Sequence, residues 1–531
     1  MNKYSIKEIE KIYSIKKVNI TGDAVFDYLK IVDLNGIKYE NEASNVLCFL
    51  SYPTENELND GWFTLNFDLR PNLLDIFKSH PNYTFVIEND MEEICPSDMK
   101  YISVDNIRNF INSLYEYVLN NNSSKVISVT GSVGKTTMVG LLENVLKQKY
   151  NVLRIYSKRI TPINLQANII NFLTNDIDFI VLENSIYYRD HVKILSTMLK
   201  PYICGILNIE SSHLGVEKLN SVEDICVFKS EIMRYAKYAF LNVDDDYLKN
   251  IKIFDGKVYF DSNYLFDNDN LSINFLSSDS IKVNLDNFII DGLVIKPFIL
   301  SNLSMIQYLM CLRIAKLCGL SDNQIVCGLN SYKPVENRLQ TKYAFGKEII
   351  FDGDVTTYER MDELSNIIYD KKFLVLRKVG SAENTFRIKN IVAFFNRFDK
   401  VFVFSDIDYL EQFKDEDNVI IVSNHDFMNS LIGKIIYHYS GYFRVWDDFN
   451  EDNLKIYDRE KYIIMKDDWV LWKRYYFYTD GIIEIIVILL IRKMLGIIGK
   501  ILYLFSVNIL KYIKLISLVF AVKRNLKMLG T

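Results

Sequence analysis

The sequence predicts an α/β protein of several domains built around a parallel sheet. Short β-branched runs at 126–129, 151–156, 178–182 and 202–208 alternate with helix-length segments, the rhythm of strands crossed by helices. A second block of the same kind runs through 348–351, 373–376, 400–404, 419–422 and 462–465. The 531 residues also exceed what one hydrophobic core usually supports, so two to four domains are expected. Ahead of both blocks, residues 1–119 mix strand-like runs (46–50, 83–88) with turns such as Asn59-Asp60-Gly61, and the polar stretch 120–124 reads as a linker. The expected division is 1–119, 120–333, 334–477 and a tail at 478–531.

Composition narrows the class. With 49% hydrophobic and 24% charged residues the chain is globular rather than disordered, and its net charge of −5 gives no reason to expect nucleic acid. The seven cysteines include no C-x-x-C pair, so a zinc ribbon or disulfide framework is not expected; reduced thiols in the cytoplasm are. Residues 1–17 are charged and lack the apolar core of a signal peptide. The segment 481–522 is densely apolar, broken by Lys or Arg at 492, 493, 500, 511 and 514 and followed by 523, 524 and 527, with Glu484 its one acid. No uninterrupted apolar stretch reaches the length of a clear spanning helix. Basic, apolar helices of this kind suit the inner face of the cytoplasmic membrane, so peripheral attachment through residues 481–531 is expected. The rival is a helical bundle packed on the preceding domain.

Between the strand at 126–129 and the helix at 136–147 stands Thr130-Gly131-Ser132-Val133-Gly134-Lys135-Thr136-Thr137. Glycines let backbone N–H groups approach phosphate, and the helix N-terminus adds partial positive charge. Lys135 supplies a point charge for β- and γ-phosphates, and the Thr136 hydroxyl can ligate magnesium. Val129 occupies the place where the general phosphate-loop pattern has its first glycine.

Three further residues carry chemistry. Glu183 closes an apolar strand, so its carboxylate emerges at the carboxyl edge, where α/β sheets bind ligands. His213 follows the strand at 202–208 in a loop. Lys229 falls inside the apolar stripe Val222, Ile225, Cys226, Ile232, Met233 and Ala236 of a helix that Ser221 and Asp224 would start. An unpaired ammonium there is costly. Either the lysine snorkels along the helix edge, or it is chemically modified.

The loop T-G-S-V-G-K-T-T resembles the T-G-x-x-G-K-T-[ST] loop of the Mur ligases, most closely the branch that adds a dipeptide to the cell-wall precursor. Other segments are similar to that family in its order. They are 180–183 ending in Glu183, 207–214 with His213, 228–232 with Lys229, 241–246, the helix start at Asn302, and Glu336-Asn337-Arg338-Leu339. The resemblance covers residues 4 to 472 and is strongest in 125–340. It implies three domains: a small α/β N-terminal domain, a central ATPase domain and a Rossmann-like third domain. It further implies ATP with two magnesium ions. Thr136 and Glu183 would hold one ion; His213 and a carbamylated Lys229 would flank the other. Lys135, His213 and Lys229 would be catalytic. The nucleotide would lie on 130–137, with Asn302 near the adenine, Arg338 aiding closure and Asp352 on the third domain.

The chain departs from the family in two places. Residues 350–357 offer Asp352 without the family's Asn-Pro, and 464–468 reads I-M-K-D-D where v-K-G-S is common. Residues 1–119 lack the D-S-R segment tied to uridine nucleotide. The implied activity is ADP-forming ligation of a carboxylate acceptor to an amine donor through an acyl phosphate. The departures turn the expected acceptor toward a cell-surface glycan or its precursor rather than the standard wall precursor. Two rivals stand beside it: a non-catalytic nucleotide-binding scaffold in a membrane glycan-assembly complex, and a kinase or ATPase without ligation.

Overall fold

The computed structural model describes residues 1–20, 22–32, 43–62, 68–155, 160–186, 188–210, 219–284, 287–298 and 301–334. Beyond these it describes 340–344, 347–352, 365, 372–376, 392–404, 419–422 and 461–465. The proposed contributions of His213, Arg338 and the tail at 478–531 therefore lie outside the described residues. Among the described residues, no helix is long and apolar enough to cross a membrane.

Three sheets follow one another along the chain. The first joins β1 (Lys17–Asn19), β2 (Tyr28–Lys30), β3 (Val46–Phe49), β4 (Thr84–Glu88) and β5 (Lys100–Val104) in the order β1-β5-β4-β3-β2. Only β1 runs antiparallel to its neighbour. Helix α1 (Ile107–Asn120), started by the Asn106 side chain on the Asn109 N–H, leads out of it.

The second sheet is the centre of the molecule. Its strands are β6 (Lys125–Thr130), β7 (Val152–Ile155), β8 (Phe179–Glu183), β9 (Ile203–Ile206), β10 (Tyr238–Asn242) and β11 (Ser272–Leu276). They lie in the order β11-β10-β9-β6-β8-β7, every pair parallel. A parallel sheet is covered on both faces, so its central strands read as continuous apolar runs. In β6, Val126 to Thr130 are all buried. One face takes α2 (Lys135–Leu146), and with it α6 (Asn302–Leu317) and α7 (Asp322–Ser331). The other takes α3 (Pro162–Phe172) and α4 (His191–Leu199), and this core is continuous with that of the first sheet. Asn171, fully buried on α3, seals the join: it accepts from the Leu29 N–H and donates to the Leu29 carbonyl, both at 2.9 Å. Helix α5 (Val222–Ser230) begins with the capping box of Ser221 and Asp224.

Two small antiparallel sheets at 251–267 and 282–295 were not expected from the strand pattern. Their strands are two to five residues long, so even the apolar Phe288–Ile290 and Leu293–Ile295 are too short to stand out as strands. Asp255-Gly256 and Asp291-Gly292, all four at positive φ, make their hairpin turns.

The third sheet joins β12 (Gln340–Ala344), β13 (Lys347–Asp352), β14 (Lys372–Leu376), β15 (Lys400–Phe404), β16 (Val419–Val422) and β17 (Lys461–Met465). Its order is β12-β13-β17-β14-β15-β16, parallel except for β12. None of the seven cysteines is in a disulfide; Cys48, Cys204, Cys226 and Cys311 are buried, whereas Cys327 is exposed on α7.

Candidate active site

The site forms where β6 ends and α2 begins, at the carboxyl edge of the central sheet. Gly134 caps the loop at φ 83°, a region in which a side chain is strained. A Cβ there would also come within 2.5 Å of Gln307 Nε2, which donates to the Gly134 carbonyl at 2.9 Å. From the next strand edge, Asn208 Oδ1 accepts from the Ser132 and Val133 N–H groups at 2.8 and 3.0 Å. Two side chains distant in sequence thus fix the loop at the N-terminus of α2, where the helix adds partial positive charge.

Lys135 folds back over the loop, its Nζ donating to the Gly131 carbonyl at 2.8 Å and the Ser132 carbonyl at 2.9 Å. Thr136 Oγ1 donates to Glu183 Oε2 at 2.6 Å, so the hydroxyl on the helix and the carboxylate on β8 converge on one point. Two hard oxygens there fit magnesium, which is held by one or two protein oxygens and otherwise by water and phosphate. Thr130 and Thr137 are buried in the scaffold, while Val133 is half-buried. Asn302 is exposed at the start of α6, whose Leu303 and Gln307 meet Gly134. Asp352 is the last residue of β13.

Lys229 does not snorkel. It is 1% exposed, and its Nζ donates to Ser132 Oγ at 3.0 Å. That hydroxyl also accepts from the Glu210 N–H at 2.7 Å and lies 3.2 Å from the Glu210 carbonyl. Burial first, then the charge of Lys135, push the Lys229 ammonium well below its ordinary value, against the opposing pull of Glu210 and Asp245. Asp245, whose carboxylate accepts the Ile209, Tyr247 and Leu248 N–H groups, is itself raised by burial. A lysine that readily loses its proton is a nucleophile toward carbon dioxide as well as a donor. Among the described residues no group of three His, Cys, Asp or Glu side chains assembles to hold a metal.

The sequence reading missed Asn208 and Gln307 as loop supports. Asn208 stands inside the segment 207–214 and Gln307 on the helix that Asn302 begins, yet nothing local marks which side chain turns toward the loop.

Residues 129–286 match the family model described as the Mur ligase middle domain. The UDP-N-acetylmuramoyl-tripeptide--D-alanyl-D-alanine ligase of Borreliella burgdorferi is 24% identical over 479 residues, covering 87% of this chain and 93% of that protein. The corresponding Synechocystis ligase is 26% identical over 278 residues, 49% of this chain and 57% of that protein. Among solved structures, the MurF ligase of Thermotoga maritima in complex with ADP superposes with a TM-score of 0.60 at 18% identity, over 81% of this chain and 93% of that one. MurF from Acinetobacter baumannii gives 0.64 at 13% identity, over 90% and 98%. At these identities the solved structures establish the fold.

Proposed function

The chain belongs to the Mur ligase family as a divergent member, and from that premise we propose that it joins a carboxylate to an amine at the expense of ATP, releasing ADP and phosphate. The observation that carries this reading is the convergence at one helix start of Lys135, the Thr136–Glu183 pair and the buried Lys229. Each could meet a different part of a nucleotide triphosphate and its attacking carboxylate.

In this mechanism Lys135 exchanges the Gly131 and Ser132 carbonyls for β- and γ-phosphate oxygens, and the loop N–H groups hold the remainder. Magnesium, held by Thr136 and Glu183 and at a second position by His213 and a carbamylated Lys229, would neutralise charge on the phosphates and acyl phosphate. The acceptor carboxylate attacks the γ-phosphorus, ADP leaves, and the amine then displaces phosphate from the acyl phosphate through a tetrahedral intermediate. Asn302 would border the adenine, with Arg338 and Asp352 closing from the third domain.

For the acceptor we favour a carboxylate on a cell-surface glycan or its precursor, such as a uronic acid, handled on the cytoplasmic face of the membrane. The missing D-S-R segment, the altered segments at 350–357 and 464–468 and the basic apolar tail support this. The test is ATP turnover with two acceptor panels. One holds UDP-N-acetylmuramoyl-tripeptide with D-alanyl-D-alanine; the other holds uronic-acid glycans with amino compounds. ADP release with uronic acids alone is expected. Turnover on the wall precursor alone overturns the glycan and keeps the ligase, whereas AMP and pyrophosphate as products overturn the ligase chemistry.

A further inference from the structure

A second set of contacts ties the N-terminal sheet to the active-site edge. Trp62 and His191 are both almost wholly buried, and their rings stack with centroids 3.5 Å apart and planes 10° from parallel. His191 Nε2 donates to the Asp60 carbonyl at 2.8 Å; because a carbonyl only accepts, this nitrogen carries a proton. Beside it, the Tyr188 ring fills the space over Gly61, where a Cβ would fall 2.7 Å from Tyr188 Cδ2. Gly61 has φ 64°, so glycine is required here twice over.

The far side of this joint is the end of β8. Glu183, which holds Thr136, is its last residue. The next residue, Asn184, donates its N–H to the Val129 carbonyl at 2.7 Å, and its Nδ2 donates to the Val192 carbonyl and Ser196 Oγ, both at 3.2 Å. Asn184 therefore lashes the strand end to the first turns of α4, the helix that His191 opens. Arg189, two residues earlier, lies 5.4 Å over the Phe228 ring, beside Lys229. Asn184 Oδ1 is buried without a hydrogen-bond partner, which leaves the joint one bond short of what a second arrangement could supply.

We propose that this joint couples nucleotide occupancy of the phosphate loop to the 60–62 turn of the N-terminal domain, with His191 as its positioning residue. The proposal rests on the ligase reading, in which Thr136 and Glu183 exchange their mutual hydrogen bond for a nucleotide-bound cation. A shift of the strand end that accompanies this exchange pulls on Asn184, and Asn184 passes that pull into the turn of α4 that carries His191. The stack and the Asp60 bond then shift the 60–62 turn, so the N-terminal domain registers whether ATP is in place.

Trp62 reports on its own joint. The full chain is titrated with magnesium and a non-hydrolysable ATP analogue, nucleotide affinity is measured by calorimetry, and the Trp62 emission is isolated by subtracting Trp62→Phe. Saturable change in the Trp62 signal, with the calorimetric midpoint, is expected in the parent. His191→Leu should bind nucleotide within about threefold of the parent yet lose most of that signal. His191→Gln, which keeps a donor for Asp60, should restore it. Hydrogen exchange at the 60–62 amides of the parent, with and without nucleotide, gives the same answer without a variant that must fold. Nucleotide binding with an unchanged Trp62 signal and unchanged exchange overturns the coupling. So does a signal that survives in a folded His191→Leu. Failure of the parent to bind the nucleotide overturns the ligase reading beneath it.

Discussion

The carboxyl edges of the N-terminal and central sheets share a backbone geometry and hold their charges in opposite ways. At the N-terminal edge, Arg70 is gripped by Asp68 through Nε and Nη2, reaches Glu88 at 3.4 Å and lies 3.8 Å over the Tyr52 ring. Tyr52 donates to Glu88 at 2.7 Å, and the half-buried Arg108 is paired to Glu57. At the central edge, Lys135 donates to the Gly131 and Ser132 carbonyls and Lys229 donates to the Ser132 hydroxyl. A cation already matched to a carboxylate has little to gain from an incoming anion, whereas Lys135 can exchange the loop carbonyls for phosphate oxygens. The first edge is scaffold, and the second is ready for phosphate.

That contrast is tested most severely at Lys135. Lys135→Ala should lower ATP turnover by about a hundredfold or more, about 2.7 kcal/mol of transition-state stabilisation. Its melting temperature should stay within a few degrees, because the Gly131 and Ser132 carbonyls that it leaves lie in a part-buried loop rather than in the hydrophobic core. Phosphate-release kinetics within a few-fold of the parent would break the distinction between the two edges. Glu183→Gln comes next. It keeps a partner for the Thr136 hydroxyl but loses the charge, so turnover should fall roughly tenfold to a hundredfold, with part of the loss recovered at high magnesium. A magnesium titration separates this from simple loss of fold.

In protein kept free of carbon dioxide, where Lys229 is the plain amine, this residue sharpens the comparison through pH. Its folded pKa lies well below the ordinary 10.5. Between those two values the unfolded chain binds the proton and the folded one does not, so stability rises with pH across that window. Lys229→Met should remove the slope, lose turnover and be as stable as the parent or more so near neutral pH. Chemical denaturation of both proteins at about pH 7 and about pH 9 measures this. A parent whose advantage over the variant shrinks as pH rises would show that Lys229 is charged in its pocket.

The smallest effect is expected at the scaffold edge. Arg70 holds the Asp68 carboxylate below its ordinary value, chiefly through their hydrogen bond. The stabilisation is therefore present above the ordinary value of 3.8 and lost as pH falls through the lowered one. Asp68→Asn should cost about 0.5–1 kcal/mol near neutral pH and almost nothing near pH 2. ATP turnover should be unchanged. A large loss of turnover would mean that this edge binds substrate after all.

Much of the site was legible because its chemistry depends on local order. The phosphate loop, the strand ending in Glu183 and the capped helix bearing Lys229 are each set by residues within a turn or a strand of one another. The burial of Lys229 could be read from the apolar stripe around it. What the stripe could not tell was its partner, since Ser132 lies on another element and the two meet only through the sheet. The same holds for Asn208, for Gln307 and for the Trp62–His191 stack, each joining segments far apart in the chain. The hairpins at Asp255-Gly256 and Asp291-Gly292 carried a readable turn signal, the second between Phe288–Ile290 and Leu293–Ile295, but strands of two to five residues are too short to stand out as runs.

The distribution of thiols has a practical consequence for anyone wishing to watch this protein move. Burial raises the pKa values of Cys204 and Cys311, and pushes those of Cys226 and Cys318 up to about 12, which leaves them almost wholly in the unreactive protonated form at neutral pH. Cys48 is buried and Cys95 half-buried and raised by burial, whereas Cys327 faces solvent. A maleimide dye added briefly near neutral pH should therefore mark Cys327 first. That position rides on α7, which packs on α2 behind the phosphate loop and ends just before the chain enters the third sheet. One native sulfur thus offers a distance probe between the nucleotide end of the molecule and whatever is labelled elsewhere, with no engineered cysteine.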